Sequence, residues 1–393
     1  MQRVFLHIGL PKTGTTHLQD RLWRNRDLAL DQCGLLYPGT VISDHFHAAV
    51  HLQPERYLDW VDPAFAHAWP TMLAQMKAWP QTSLISHELY ATAQPDHIAR
   101  LLADLSFADE VHVVATVRDL ARQLPSVWQE NVKNQRQASF AEFVASVRAH
   151  ADPGPDRPRP SEEPAVGRAD PPAPPEEPFW EFQDHVGILG RWAAAVGPQR
   201  VHVVTVPPGR GGPGDGLWER FLAVLDVDPA VLTIEVPSLN SSLSAAQAEF
   251  LRALNRRLQP ADIAWERYER VVKGEVIGQI LFQHPGGTPQ GLTGPQRVWA
   301  SNQAAAMVAA LGAAGYPVSG ALRDLTVSRD VEPGLVEPTT AEVLDTALDT
   351  FAELVKLMPM PARGPGVRTR ARDVVRRVRR RALGLRRSRG GSL

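Results

Sequence analysis

The sequence predicts an α/β fold with a mostly parallel sheet flanked by helices. Three observations support this prediction: short apolar runs have the pattern of buried strands, helical stretches follow several of them, and the first run leads into a glycine-containing turn. Parallel strands carry near-continuous apolar runs because helices cover both faces of their sheet. Alternation of the two kinds of element favours the parallel arrangement.

The predicted elements follow in chain order. Buried strands are predicted over 4–9, 83–86, 111–117 and 201–206. A first helix should run from Gly14–Thr15 to about Asp31 and end before Gly34, since glycine commonly follows the last helical turn. Further helices are predicted over 120–132, 139–149, 184–196 and 216–226.

The second half of the chain predicts a helical C-terminal part. Ser244 and Gln247 have the spacing of a capping box, which predicts a helix to about Leu258. Two more helices are predicted over 295–314 and 340–357.

We predict one domain over residues 1–330. Within it, residues 152–178 contain ten prolines among 27 positions, a density that no helix or central strand tolerates. Because strand and helix patterns resume directly afterwards, this segment is predicted to be a mobile insertion within one domain. Residues 331–393 are predicted to form a C-terminal helix and a basic, disordered tail.

Charge is distributed unevenly along the chain. Residues 363–393 contain 12 arginines and one acid, which leaves a net charge of -12 on the rest of a chain whose total is -1. An anion site in this acidic body must therefore be built by a few placed cations and backbone amides. The tail favours a solubilising role, with peripheral contact to an anionic membrane as the functional alternative, and nucleic acid is not an expected partner.

Cysteine content and the N-terminus bear on location. The single cysteine, Cys33, excludes an intrachain disulfide and fits a reducing compartment. The start of the chain lacks the pattern of a signal peptide, and no apolar stretch approaches the roughly 20 residues of a membrane span. These features predict a cytoplasmic protein.

The stretch HIGLPKTGTT has the outline of a phosphate-binding loop. Gly9 and Gly14 have Walker A spacing, but Lys12 precedes the second glycine, and Thr15 and Thr16 stand where that motif has lysine and a magnesium-binding hydroxyl. The loop should still present N–H groups and a helix N-terminus to an anion. It fits a nucleotide monophosphate end or a mixed anhydride better than ATP–Mg²⁺, and no metal is predicted.

Two motifs together resemble one family. PKTGTT after a strand resembles the 5′-phosphosulfate loop of sulfotransferases that use 3′-phosphoadenosine 5′-phosphosulfate (PAPS). In VHVVATVRDLARQLPSVWQE, Arg118 ends a strand and Ser126 follows eight residues later, as in the family's pair that grips the 3′-phosphate. An arginine fork with a hydroxyl donor suits a dianionic phosphate. The family commonly has Asp-Pro after this arginine, where the present chain has Asp-Leu.

The resemblance implies roles for named residues. The cofactor-binding set would be Pro11, Lys12, Thr13, Gly14, Thr15, Thr16, Arg118 and Ser126. Lys12 would also stabilise the leaving group, and the proton acceptor would be a histidine or a glutamate. His87 and Glu88, at the end of a predicted strand, are the favoured candidates, with His47 in the predicted loop 43–51 in reserve. His47 and His51 could share a metal if that segment were helical, but no third ligand is apparent.

The predicted function is transfer of a sulfuryl group from PAPS to a hydroxyl or amine of an unidentified small-molecule, glycan or lipid acceptor. The alternatives are an ATP-dependent phosphotransferase with a divergent P-loop, and a non-catalytic nucleotide-binding scaffold. Acceptor pockets in this fold are built by variable loops, so the sequence leaves the acceptor open.

Overall fold

The described part of the chain is built around a parallel sheet of six strands. The computed structural model describes residues 1–151, 178–209, 216–236, 242–284, 286–330 and 337–358. The strands are β1 (Arg3–His7), β2 (Leu35–Leu36), β3 (Thr82–Ser86), β4 (Glu110–Val117), β5 (Val201–Thr205) and β6 (Val318–Ser319). Every neighbouring pair is parallel, which confirms the predicted α/β fold class.

The strand order is β2-β3-β1-β4-β5-β6. Strand β1 therefore lies between β3 and β4, and the chain leaves β1 toward β2 and β3 before it crosses to β4. At such a reversal the connections diverge and leave a crevice outside the carboxyl ends of the strands, where open α/β sheets bind ligands. The segments that follow β1, β3 and β4 meet at this crevice.

The helices follow in chain order. They are α1 (Thr15–Arg24), α2 (Arg26–Cys33), α3 (Asp44–Leu52), α4 (Ala68–Ala78), α5 (Pro95–Asp104), α6 (Leu120–Lys133), α7 (Phe140–Ala151), α8 (Phe179–Gln183), α9 (His185–Val196), α10 (Leu217–Val224), α11 (Ala245–Asn255), α12 (Trp265–Tyr268), α13 (Gly294–Ala314) and α14 (Thr340–Leu357). A π-helix, Glu269–Ile280, continues α12.

Both faces of the sheet are buried. Along β1, Val4 and Leu6 enter a core closed by residues of α5 and α9. Phe5 points to the opposite face, into a core closed by α1 and α10. This double coverage explains why the strands appear in the sequence as apolar runs rather than as alternating patterns.

A separate core joins the helices beside the sheet. Residues of α6, α7, α11, α13 and the π-helix bury Trp128, Leu251 and Tyr268, among others. The predicted capping box is present at the start of α11, where Ser244 Oγ accepts from the Gln247 N–H at 3.2 Å. Helix α6 thus buries one face in this core along its length.

The prediction of one continuous first helix was wrong, because the helix is interrupted at Asn25. The Asn25 side chain is buried and binds the backbone of a distant segment. Its Nδ2 donates to Ile234 O at 2.7 Å, and its Oδ1 accepts from the Ile234 N–H at 2.9 Å. These tertiary bonds fix a bend between α1 and α2 that local helical preference does not contain.

The segment 43–51 was predicted to be a loop and is helical instead, as α3. The carboxylate of Asp44, in its first turn, accepts from the Thr40 N–H at 2.7 Å and from the Val41 N–H at 3.2 Å. These bonds close the preceding turn onto the start of the helix. The histidine-rich sequence has no clear apolar stripe, so periodicity alone did not reveal the helix.

Helices α7 and α8, which precede and follow residues 152–177, pack against each other. Trp180 Nε1 donates to Val147 O at 2.8 Å. The rings of Phe143 and Phe179 meet edge to face with centroids 6.1 Å apart. The two helices therefore belong to one packed layer.

Two predicted segments concern residues that are not described. The chain divides into two compact units, Met1–Thr346, which holds the sheet, and Ala347–Leu393. The predicted insertion, apart from Pro178, and the arginine-rich tail from residue 363 lie outside the described residues. No helix in the described ranges has both the length and the apolar character that crossing a bilayer requires.

Candidate active site

The loop after β1 lies at the crevice, with the ends of β3 and β4 on either side. Backbone angles in the left-handed region occur at Gly9 (φ 94°), Lys12 (φ 65°) and Gly14 (φ 98°). A left-handed lysine is uncommon and costs about 1 kcal/mol or more, so the surrounding contacts must hold it. Gly14 immediately precedes α1, whose first N–H groups lack partners within the helix.

Two glycines of the loop have no room for a side chain. A Cβ on Gly9 would lie 2.8 Å from Glu88 Cβ, and one on Gly14 would lie 2.6 Å from Leu217 Cδ2. The Gly9 contact also shows that Glu88, just after β3, packs directly against the start of the loop. The need for glycine here therefore comes from both the backbone angle and close packing.

The loop is held by hydrogen bonds to its carbonyl groups. Pro11 O accepts from Gln123 Nε2 at 2.7 Å and from Gln183 Nε2 at 3.0 Å. Lys12 O accepts from Arg118 Nη1 at 3.2 Å. Helices α6 and α8 and the end of β4 thus clamp the turn that carries Lys12.

A buried polar cluster packs against the interior side of the loop. Thr13 Oγ1 lies 2.5 Å from both Leu10 O and Thr116 Oγ1, so this hydroxyl faces the protein interior. His7 bridges the cluster, with Nδ1 2.7 Å from Ser86 Oγ and Nε2 3.4 Å from Thr116 Oγ1. Burial, aided by His87, lowers the pKa of His7 to about 3, so this imidazole is neutral.

The threonines of the loop differ in exposure. Thr15 is buried, like Thr13, whereas Thr16 is exposed at the first turn of α1. Among the three, Thr16 is therefore the hydroxyl that a bound anion can reach most easily, while Thr13 and Thr15 could contribute their backbone N–H groups.

The ammonium of Lys12 lies beside a carboxylate of α6. Lys12 Nζ and Lys133 Nζ are 2.9 and 2.8 Å from the same Glu130 oxygen, Oε2. Burial alone would raise the pKa of Glu130, but the two lysines outweigh it and lower this pKa to about 2. The carboxylate is therefore ionised at neutral pH.

Arg118 follows directly after the last residue of β4. Its Nε is buried without a hydrogen-bond partner, while its Nη1 binds the loop carbonyl of Lys12. Burial and the neighbouring Arg122 lower the pKa of Arg118 to about 10, against the opposing effect of Asp119, and the guanidinium stays charged at neutral pH. A buried cationic donor without a partner has unused capacity for an anion.

Ser126 lies on the same face of α6 as two residues that contact the loop. Gln123, three positions earlier, binds Pro11, and Glu130, four positions later, binds Lys12. Residues three and four apart are neighbours on a helix surface, so Ser126 lies between these two contacts. Arg118 thus binds the loop backbone at Lys12, and Ser126 lies on the face of α6 that contacts the same loop.

His87 follows β3 and is half-buried. Its Nδ1 accepts from the Leu89 N–H at 3.2 Å, so in the neutral ring the proton is on Nε2. Burial lowers the pKa of His87, and His47 adds to this effect while Glu88 opposes it. In this arrangement neither ring nitrogen has a lone pair available for a substrate proton.

Glu88 has a different environment from its neighbour. Its Oε2 accepts from Gln19 Nε2 at 3.3 Å, and the same nitrogen is 3.3 Å from Ser86 O. Gln19 belongs to α1, so the carboxylate is bound from the helix that begins at the phosphate-type loop. The Cα and Cβ of Glu88 pack against Gly9, while its carboxylate reaches Gln19 of α1.

His47 is buried on α3 and stacks on Phe65, with ring centroids 3.9 Å apart. Burial lowers the pKa of His47, and its Nδ1 has no hydrogen-bond partner. It lies near enough to His87 to affect the pKa of that ring. Within the described ranges, no group of three or more His, Cys, Asp or Glu side chains could hold a metal ion.

Sequence reasoning missed several residues of this site. Gln19, Thr116, Gln123, Glu130 and Gln183 all contact the loop or its neighbours. For α6 a signal was available, because Gln123 and Glu130 fall on the helical face of Ser126. The other three come from elements far apart in the chain, and only the fold brings them together.

No protein-family model and no curated protein matches the chain. Among solved structures, it is similar to a sulfotransferase from Alicyclobacillus acidocaldarius, with 14% sequence identity and a TM-score of 0.36. The match covers 79% of this chain and 94% of that chain. The functional proposal rests on the residues of the site rather than on this likeness.

Proposed function

We propose that the protein is a PAPS-dependent sulfotransferase. The observation that supports the proposal is that two predicted phosphate-binding residues lie beside one turn. Arg118 binds the backbone of Lys12, and Ser126 lies on α6 between two residues that contact the same loop. A lysine in this turn and an arginine bound to its backbone suit a nucleotide with phosphate groups at both its 3′ and 5′ positions.

The residues present fit such a nucleotide. The N-terminus of α1, the exposed Thr16 and Lys12 would hold the 5′-phosphosulfate, because N–H groups at a helix start and a lysine favour an anion. Arg118 has a buried Nε without a partner, which suits a 3′-phosphate together with the Ser126 hydroxyl. Pro11, Thr13, Gly14 and Thr15 would shape the loop.

The chemistry is a transfer between two oxygens or from oxygen to nitrogen. As the acceptor forms its bond to sulfur, the bond from sulfur to the nucleotide phosphate breaks and the acceptor loses a proton. Lys12 would stabilise the charge that develops on the leaving oxygen. Such preorganised cations act on the transition state more than on the ground state.

Glu88 is the proton acceptor that we favour. Its Cα and Cβ pack against Gly9 of the loop, whereas Nδ1 of His87 already accepts from the Leu89 N–H. Both oxygens of a carboxylate can accept a proton, and Gln19 binds only Oε2 of Glu88. His87 and the buried His47 would then shape the acceptor side of the crevice.

The test is a pair of calorimetric titrations of the purified protein. We expect saturable binding of adenosine 3′,5′-bisphosphate and no comparable binding of ATP–Mg²⁺. Binding of ATP–Mg²⁺ alone would instead favour an ATP-dependent phosphotransferase. Binding of the bisphosphate without any sulfated product, when PAPS is added to a cell extract and searched by mass spectrometry, would favour a nucleotide-binding scaffold.

The acceptor belongs to the same proposal. We propose a small-molecule, glycan or lipid hydroxyl or amine, in a cytoplasmic setting, with the basic tail as a peripheral contact to anionic membrane. The extract experiment tests the acceptor directly, because a product heavier by one SO₃ group identifies the molecule that was modified.

A further inference from the structure

One carboxylate beside the loop is shared by two lysines of different exposure. Glu130 Oε2 is 2.9 Å from Lys12 Nζ and 2.8 Å from Lys133 Nζ. The Lys133 side chain is 13% exposed, compared with 30% for Lys12 and 35% for Glu130. Lys133 is therefore the deeper partner, and Lys12 is the partner that solvent and ligands can reach.

A third lysine lies near Lys133. Lys273, on the π-helix, donates to Asn134 Oδ1 at 2.9 Å and acts electrostatically on Lys133. Lys133 also lies over the ring of Phe282, with its Nζ 5.7 Å from the centroid. Glu130 would thus keep a fixed cationic partner if Lys12 moved away.

We propose that Glu130 competes with the nucleotide for the ammonium of Lys12, so that it weakens binding of the nucleotide and favours its release. This inference rests on the proposed function of Lys12. In the free protein Glu130 holds Lys12 near the loop, and on binding, Lys12 exchanges this carboxylate for the ligand anion. Lys133 continues to neutralise Glu130, so no charge is left without a partner.

Two physical arguments support an exchange. A partly exposed ion pair contributes little to stability, so its separation costs little. A phosphate-type anion is a strong charge-assisted acceptor, and the loop adds backbone N–H groups that Glu130 does not have. The carboxylate also repels any anion bound close to Lys12.

The main variant is Glu130→Gln, which keeps the size of the side chain and removes its charge. We expect adenosine 3′,5′-bisphosphate to bind about three- to tenfold more tightly than to the wild type, a change of at most one factor of ten in the dissociation constant. A merely structural ion pair would give the opposite sign or no change. Unchanged or weaker binding by this variant would overturn the inference.

Two further variants serve as controls. Asp31→Asn removes the same charge from an exposed position in the last turn of α2, which leads into the edge strand β2, two strands away from β1. It should leave affinity unchanged. Lys133→Met should weaken nucleotide binding in the otherwise wild-type protein. It should weaken binding less in the Glu130→Gln background, because part of the effect of Lys133 is to neutralise the Glu130 carboxylate.

A second measurement separates this inference from the proposed function. Acetic anhydride labelling, followed by mass spectrometry, measures the reactivity of Lys12 without any nucleotide, with the exposed Lys77 as an internal reference. Lys12 should react several-fold faster in Glu130→Gln, since the variant removes the carboxylate that pairs with its ammonium at 2.9 Å. Equal reactivity in both proteins would refute the inference, whatever the nucleotide does.

If no variant binds the bisphosphate, the proposed function fails, and pyrophosphate becomes the competing anion in the labelling experiment. Protection of Lys12 at lower pyrophosphate concentration in Glu130→Gln than in the wild type would still support competition. Equal protective concentrations would overturn it.

Discussion

Two ion pairs lie near the carboxyl ends of strands β5 and β1, and they differ in exposure and in the groups that bind them. Arg220 and Asp324 are 8% and 9% exposed, and their closest approach, Arg220 Nη1 to Asp324 Oδ2, is 2.6 Å. Lys12 and Glu130 are each about one-third exposed, and Glu130 is shared with Lys133. The first pair is enclosed, and the second is open to exchange.

The bonds around each pair explain the difference. Arg220 Nη1 also donates to both oxygens of Thr205, the last residue of β5, and Asp324 Oδ2 accepts from Thr205 Oγ1. This pair ties a strand end to the segment after β6. In the other pair, Lys12 lies in a loop with left-handed backbone and Glu130 lies on a helix, so neither partner belongs to a strand. We infer that the first pair maintains the fold and the second serves the site.

The largest expected effect comes from breaking the enclosed pair. Asp324→Ala removes a buried carboxylate that binds Arg220 Nη1 at 2.6 Å, which should reduce the free energy of unfolding by about 3–5 kcal/mol. Urea titration measures it. Asp20→Ala, which removes the exposed pair with Arg24, should change stability by less than about 1 kcal/mol. Equal effects of the two variants would contradict the contrast between enclosed and open pairs.

The next effect comes from the open pair and concerns activity. Lys12→Ala should reduce sulfuryl transfer by roughly 10²- to 10³-fold, the size seen when one stabilising donor of a transition state is removed. Its stability should change by less than about 1 kcal/mol, because the pair is exposed. Lys77→Ala serves as the control for activity. An unchanged transfer rate in Lys12→Ala would sink the catalytic role of this lysine.

A third effect concerns Arg118 and nucleotide affinity. Arg118→Ala should weaken binding of adenosine 3′,5′-bisphosphate by about 1.5–3 kcal/mol, the usual contribution of a hydrogen bond to a charged group. Binding of adenosine 5′-monophosphate should change much less, since it lacks the 3′-phosphate. If both ligands lose affinity equally, Arg118 supports the loop rather than the 3′-phosphate.

The smallest effect concerns the neutral histidine beneath the loop. Burial lowers the pKa of His7 to about 3, whereas the unfolded value is near 6.5, so below pH 6.5 the unfolded chain binds a proton that the folded chain does not. Stability due to His7 should therefore fall by about 1.4 kcal/mol between pH 7.5 and 5.5.

Replacing His7 tests that pH dependence. In His7→Asn the decline in unfolding free energy over this interval, measured by urea titration, should be smaller than in the wild type by about that amount. His45→Asn is a second test, because burial also lowers the pKa of His45 to about 3 and the decline should shrink by a similar amount. An identical pH dependence in wild type and His7→Asn would show that His7 is not neutral in the fold.

The sequence predicted the strands and the loop well because their signals are local. Apolar runs marked β1, β3, β4 and β5, and the Gly9–Gly14 spacing marked the turn at the crevice. The interruption at Asn25 was hidden, since it depends on bonds to Ile234, more than two hundred residues away. Local patterns do not record such tertiary contacts.

In the candidate site, too, the features set by local sequence could be predicted and those set by tertiary contacts could not. The positions of Lys12 and Arg118 after strands could be predicted, because β1 and β4 have recognisable apolar runs, and Ser126 lies within the helix predicted to follow β4. Their supports could not, because Gln183 and Thr116 matter only where the fold brings them beside the loop. The choice between His87 and Glu88 depended on a single backbone N–H, that of Leu89, which no sequence pattern reveals.

The packing of α7 against α8 has a consequence for protein engineering. Because Trp180 binds Val147, the chain on the two sides of residues 152–177 is already joined by non-covalent contacts, and Gln183 reaches the loop carbonyl of Pro11 from within that layer. The covalent connection between the two helices is therefore not what positions Gln183. A tag or fluorescent domain grafted between residues 152 and 177, or a shorter linker in their place, should leave nucleotide affinity at its original value.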